Sequence, residues 1–342
     1  MASDAAFFSL LRAFVAALSF TSVFMDSGED YFMDTTQYIA SPEDFVVREH
    51  IKPLPRYVRG KNTVTAANSY CLCKLTKRLM TTHRALTVVA SLLDIDVRAI
   101  GFAGLKDKFA VTEQFVTVPS KMFKEVEIMD LRLTRIGFVS KPLAVGDVEK
   151  NDFEIRLTGV AGIERALEEV NRTTIPNFFG PQRFGAFGTN ATIGKRLITR
   201  DYENALEAIN KTSVKAFSSI TAVGKRRLKF YVNAYQSFLF NEAVALYLLT
   251  HRMSLRQQFK IVGCTTRLGR SAADAIVKTV LDHESISHED FEIKELRMSV
   301  RGGMRQAFIK TAVIYANGKL CFSLPAGSYA TVVIAEIVKR CS

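Results

Sequence analysis

Cysteine is scarce in this chain: Cys71, Cys73, Cys264, Cys321 and Cys341 are the five among 342 residues, odd in number and scattered. A disulfide scaffold is thereby excluded, and a reducing compartment suits the chain. Proline is sparse too, eight in all, and serves as punctuation rather than linker; no internal repeat or low-complexity segment stands out. Long apolar runs are missing beyond Phe24. The exception, Ala5–Phe24, is interrupted by Arg12, preceded by Asp4 and without a basic leading region. It therefore reads poorly as a secretory signal or a membrane span, and a docked amphipathic helix or an upstream start codon is expected instead. The expectation is a protein of the cytoplasm, or the nucleus in a eukaryote, with no membrane partner.

The signatures of common cofactors are also missing. Cys71-Leu72-Cys73 has too short a gap for zinc and no second pair follows. His50, His83, His251, His283 and His288 form no HxxxH or HxH pattern. Gly101–Lys106 carries two glycines but not the GxxxxGK[ST] spacing, and there is no G-x-S-x-G elbow. We expect no metal and no organic cofactor.

What is present is positive charge on a foldable chain. Lys+Arg number 46 against 34 Asp+Glu, a net +12, with 48% hydrophobic residues. The length suggests two domains at roughly 100–200 residues each, and the charge favours a polyanionic partner. Between Lys195 and Lys229 stand Lys195, Arg196, Arg200, Lys211, Lys215, Lys225, Arg226, Arg227 and Lys229 against Asp201, Glu203 and Glu207; Arg252–Arg270 has five basic residues and no acid. Basic clusters are usually solvated faces, but these lie beside aromatics and glycines, as an RNA-contacting surface requires.

Alternation predicts strands over Asp44–Glu49, Tyr70–Leu75, Gln114–Val118, Leu131–Val139, Phe153–Leu157, Gln306–Tyr315 and Leu320–Ser323. Helical spacing predicts helices over Thr81–Leu93, Ile163–Arg172, Ala191–Thr199, Tyr202–Lys211, Asn233–Leu249 and Thr331–Arg340. Strands thus occupy both ends and helices the middle, the pattern of an α+β domain interrupted by a helical insertion. Asp107, in GFAGLKDKFAVTEQF (Gly101–Phe115), is the one residue that invites chemistry. Its neighbours Lys106 and Lys108 favour an ionised carboxylate, and small residues at 101, 103 and 104 would let a planar ligand approach the backbone. From composition alone, an Asp capping the next element is the simpler reading.

Five ordered segments carry a family resemblance: SPEDFVV (Ser41–Val47), GFAGLKDKFAVTEQF, KNDF (Lys150–Phe153), PNFFGPQRFG (Pro176–Gly185) and LPAGSYATVV (Leu324–Val333). Together they resemble the TruD family of tRNA pseudouridine synthases, and KRLMTTHRALTVVASLLDI ahead of GFAGLKD resembles its archaeal and eukaryotic branch. The resemblance implies an α+β fold: a mixed α/β catalytic domain (residues 36–175 and 301–342) interrupted by a mainly helical insertion (176–300), behind an N-terminal segment (1–35) with no assigned role. It implies cofactor-free isomerisation of uridine by a monomer, with RNA, tRNA above all, as the partner and uridine 13 of the D arm as the target. Asp107 falls on the catalytic carboxylate, acting on the base or C1′ as nucleophile or on a sugar proton as base. Phe153 falls on the aromatic that stacks on the flipped uracil and Asn151 on its polar neighbour; Lys106, Gln182 and Arg183 are placed around the substrate. Ser328 and Tyr329 lie close to the cleft with no assigned role. One position departs: three residues before the Pro of PEDF, where relatives carry a base that pairs with the catalytic carboxylate, stands Ile39. Lys106 or another lysine would have to compensate. The alternative function is a catalytically weak RNA-binding assembly factor that keeps the fold.

Overall fold

The computed structural model describes residues 35–53, 58–59, 70–185 and 188–341. The apolar stretch Ala5–Phe24 lies outside the described residues. Among those described, no helix is long and apolar enough to cross a membrane.

The first half of the chain lays down β1 (Phe45–Ile51), β2 (Val58–Arg59), β3 (Tyr70–Arg78), helix α1 (Thr82–Leu93), β4 (Gly101–Phe102), β5 (Val111–Pro119), β6 (Val126–Ile128), β7 (Leu131–Val139), β8 (Val148–Ile155) and α2 (Ile163–Arg172). An interruption follows, entered through β9 (Ile175–Pro176) and left through β14 (Phe308–Ile309), which pair antiparallel at its neck. Within it lie α3 (Thr189–Ile198), α4 (Tyr202–Lys211), α5 (Lys225–Thr250), β10 (Gln258–Ile261), α6 (Ala272–Glu284), β11 (Glu292–Ile293), β12 (Met298–Ser299) and β13 (Gly303–Gln306). The chain ends with β15 (Ile314–Ala316), β16 (Lys319–Pro325) and α7 (Ala330–Arg340).

Ten strands form one mixed sheet in the order β15-β16-β8-β1-β5-β3-β7-β2, with β4 added to β5 and β6 to β7. Only β1 and β5 run parallel. Side chains alternate across each strand. In β3, Cys71, Cys73, Leu75 and Lys77 are buried; in β1, Phe45, Val47 and Glu49; in β5, Thr112, Gln114, Val116 and Val118. The opposite face carries a half-exposed ionic ladder, Lys74–Glu113 at 3.3 Å, Glu113–Arg48 at 4.0 Å, Arg48–Glu154, and Glu154–Lys319 at 3.6 Å. Each such pair contributes about 0–1 kcal/mol, but together they leave this face polar.

One apolar core runs from Phe45, Val47 and Ile155 through α2 and α7 into Tyr235, Phe240 and Phe259 of the insertion, so the two units share their interior. A second core lies between α1 and the β3-β5-β7 part of the sheet. Helix α3 crosses α5 closely because residue 194 is glycine: a Cβ there would lie 2.2 Å from the Tyr231 carbonyl oxygen.

Three features differ from the sequence-based expectation. Strand β8 begins at Val148, so the KNDF segment is strand throughout. Helix α5 begins at Lys225, its first turn too basic to show apolar periodicity, and α6 was not anticipated at all. Finally, the single strand expected over 306–315 is broken into β13, β14 and β15 as the chain leaves the insertion and rejoins the sheet.

Gly194→Ala should lower stability in chemical denaturation by about 1–3 kcal/mol through overpacking. Gly303→Ala, where a Cβ meets nothing within 4 Å, should stay within about 0.5 kcal/mol of wild type.

Candidate active site

Asp107 lies on the loop between β4 and β5, and the residues under that loop are polar where the rest of the sheet's inner face is apolar. Strands β1 and β5 pair only over Val46–Arg48 and Val111–Glu113. Just beyond, Glu49 Oε1 accepts the Phe115 N–H at 3.0 Å, while Glu49 Oε2 pairs with Lys106 Nζ at 2.5 Å. This ion pair is enclosed, the two side chains being 0% and 5% exposed. Lys106 Nζ also donates to Asn151 Oδ1 at 2.7 Å, joining β8 to the loop. The Lys106 backbone N–H donates to Thr82 Oγ1 (2.9 Å), Thr82 Oγ1 to Gln114 Oε1 (3.0 Å), and Gln114 Nε2 to the Gly104 carbonyl (3.3 Å). Below Asp107 itself, the buried Lys77 Nζ donates to the Asp107 carbonyl at 2.6 Å.

Asp107 as a residue is half-buried. Loss of water pushes its pKa up, and the ammonium groups of Lys77 and Lys106 oppose that rise. Burial in turn lowers Lys77 to about 8, against the pull of Asp107.

The far wall comes from the neck of the insertion. Arg305 on β13 donates to the Asn177 carbonyl (Nη2, 2.9 Å), to Asn177 Oδ1 (3.0 Å) and to the Gly327 carbonyl (2.9 Å), with its guanidinium 4.0 Å from the Phe179 ring centre. Arg183 donates through Nε to Ser237 Oγ at 3.0 Å and lies 5.9 Å from the rings of Phe179 and Phe230. Neither arginine has a carboxylate partner among the described residues; burial lowers the pKa of both, that of Arg305 to about 10. Tyr329 lies within reach of the charges of both arginines and of Asp107: burial raises its pKa, the two arginines lower it, and the charge of Asp107 raises it. Its ring packs edge-on to Phe179 and against Gly180, where a Cβ would come 2.8 Å from Tyr329 Cδ1.

At the lip, Arg226 Nη2 of α5 meets His83 Nε2 of α1 at 2.8 Å, so the basic first turn of α5 adjoins the residue next to Thr82. Burial, then the Arg226 charge, lowers the His83 pKa. Much of the other expected basic surface is internally neutralised: Lys195 by Glu284, Arg196 by Asp201, Arg200 by Asp290, Lys211 by Glu207 and Lys260 by Asp274.

The structure thus joins Lys106 and Asn151 in one hydrogen-bonded network next to Asp107, ties Arg183 to Ser237, and leaves Gln182 exposed. Phe153 is 6% exposed, stacks on Phe322 at 5.3 Å and packs edge-to-face with Phe45 at 6.2 Å. Lys106 spends its ammonium on Glu49 and Asn151. Ile39 is buried in the apolar core with Phe45 and Phe153. Lys77, Glu49, Thr82 and Gln114 were missed. A signal for three of them existed, since Lys77, Glu49 and Gln114 occupy the apolar phase of alternating strands. Among the described residues, no three His, Cys, Asp or Glu side chains are grouped to hold a metal.

A mixed sheet that carries Asp107 on the loop between two of its strands, interrupted by a mainly helical unit, defines an α+β protein. A solved structure from Methanosarcina mazei that carries the TruD name shares the fold, with TM-score 0.60 and 20% identity over 91% of this chain and 96% of that one. The family model for tRNA pseudouridine synthase D (TruD) matches residues 36–219 and 247–337. A tRNA pseudouridine synthase D from Anaeromyxobacter is 30% identical across 87% of this chain and 91% of its own length. One from Wolinella succinogenes is 32% identical, over 60% and 52% of the two chains. The chain belongs to the TruD family of pseudouridine synthases.

Glu49→Ala would strand the Lys106 ammonium and should cost about 3–5 kcal/mol in urea denaturation. Replacing both partners by Met should recover most of that loss, because an apolar pair needs no compensating charge.

Proposed function

We propose that the chain isomerises uridine to pseudouridine in tRNA, with uridine 13 as the target and Asp107 as the reacting carboxylate. The observation that supports this reading is the placement of Asp107: a half-buried aspartate on a loop tied down by side-chain hydrogen bonds, with the charges of Lys77 and Lys106 acting on its carboxyl and Tyr329 within reach of both its charge and those of Arg183 and Arg305. The reaction breaks N1–C1′, turns the base, joins C5 to C1′, and moves the C5 proton off as N1 gains one. Nothing enters or leaves in sum, so a carboxylate that adds to the sugar or base, or that takes a sugar proton, suffices in principle.

Extruding the uridine costs about a few kcal/mol, offset by stacking worth roughly 1–3 kcal/mol per base. In this reading Tyr329 is the aromatic that meets the base, with Phe153 backing the wall from the core. Leu105 and Phe109, exposed on either side of Asp107 at 63% and 48%, offer apolar surface that RNA would cover. Arg183, whose terminal nitrogens have no protein acceptor among the described residues, faces a backbone phosphate, as do Lys225 and Lys229 at the start of α5; Gln182 contacts the RNA at the rim.

Incubation of purified protein with unmodified tRNA, followed by pseudouridine mapping, should give one modified uridine. Asp107→Asn should abolish product while leaving tRNA affinity and its salt slope unchanged. Conversely, Lys225→Gln with Lys229→Gln should make that slope shallower by about one per side chain removed. Tight tRNA binding without product from wild type would instead fit an RNA-binding assembly factor.

Arg183→Ala should weaken tRNA binding measured at low salt, and Tyr329→Ala should lower kcat more than it raises KM, since the base is held through bond rearrangement.

A further inference from the structure

Lys77 occupies a position that strand alternation reserves for an apolar side chain. It ends the buried series Cys71, Cys73, Leu75 of β3 and is 1% exposed. Its Nζ has one protein partner among the described residues, the Asp107 carbonyl at 2.6 Å, which leaves two of the three N–H donors of an ammonium without a protein acceptor. Enclosing a cation in this way is unfavourable unless a negative charge compensates it.

The charges around the cleft identify that partner. Lys106 is matched by Glu49 at 2.5 Å, and Lys108 points into solvent. Arg183 and Arg305 act on Tyr329, across the cleft. Asp107 has no ion pair within 4.0 Å among the described residues, and Lys77 is the first charge that opposes its desolvation, ahead of Lys106. With Lys106 neutralised by Glu49, the uncompensated cation below the loop is Lys77 and the uncompensated anion is Asp107.

We propose that Lys77 is the positioning residue of the site: it anchors the Asp107 backbone through the carbonyl and supplies the positive charge that keeps the Asp107 carboxylate ionised in an enclosed cleft. The proposal rests on the reading of Asp107 as the reacting group, but its electrostatic content can be measured without RNA. A neutral donor would hold the carbonyl equally well; only a cation would move the carboxylate's titration.

The test is a carboxyl-carbon NMR titration of 13C-labelled aspartate in the full chain, with the Asp107 resonance assigned by its loss in Asp107→Asn. In Lys77→Met the Asp107 midpoint should rise by about one pH unit or more, whereas Lys77→Arg and Lys108→Met should leave it in place. The wild-type resonance should also show a second, smaller inflection near 8, where Lys77 loses its proton. The acid limb of kcat/KM should move upward with the midpoint in Lys77→Met and return in Lys77→Arg. An unmoved midpoint in folded Lys77→Met overturns the proposal; if that variant does not fold, absence of the wild-type inflection near 8 overturns it. Wild-type protein that shows the titration but forms no pseudouridine would remove the functional reading and leave the electrostatic one, while turnover with an unmoved midpoint would do the reverse.

Discussion

The structure turns on a buried charge pair placed where an apolar contact would be ordinary. Glu49 and Lys106 are almost wholly enclosed, and such a pair is seldom worth its desolvation as a source of stability. What it provides is position. A carboxylate at the point where β1 and β5 diverge takes the freed Phe115 N–H and the Lys106 ammonium together, and Lys106 reaches on to Asn151. Three strands and the loop that carries Asp107 are thereby held by directional contacts. With Thr82 and Gln114 closing the remaining donors and acceptors, the backbone around Asp107 has little freedom to move.

The insertion completes the site from the other side, and its neck explains how. The short β9–β14 pairing brings the entering and leaving strands together, and Arg305 ties Asn177 of the entry to Gly327 of the turn before α7. Tyr329 and Arg183 both pack with Phe179 beside that clamp, so the arginines and the aromatic come from segments far apart in sequence. One apolar core runs through both units, so they share their interior.

Much of the architecture was legible from local pattern. The spans of β7 and of helices α2 and α4 follow directly from alternation and helical spacing, and the failure at α5 has a plain cause: Lys225, Arg226 and Arg227 hide the first turn of a helix whose later residues are buried on nearly every side. The site was legible in part. Asp107, Asn151 and Phe153 were named through the family resemblance, whereas the stacking of Phe153 on Phe322, 169 positions away, is not visible along the chain. Lys77 and Glu49 were visible as charges in the apolar phase of a strand, which marks an unusual environment without naming the partner.

What the sequence by itself determined is the place of most of the longer strands and helices, the interruption of an α+β domain by helices, and the family. These depend on short-range periodicity and on motif order, both written along the chain. Only the tertiary structure decided which cation serves which anion. Lys106 and Lys108 flank Asp107 in sequence, but one is neutralised by Glu49 from another strand and the other faces water, while Lys77, thirty positions away, donates to the Asp107 carbonyl. Electrostatic partnership depends on distance through space and on exclusion of water, and neither is a property of neighbours along a chain.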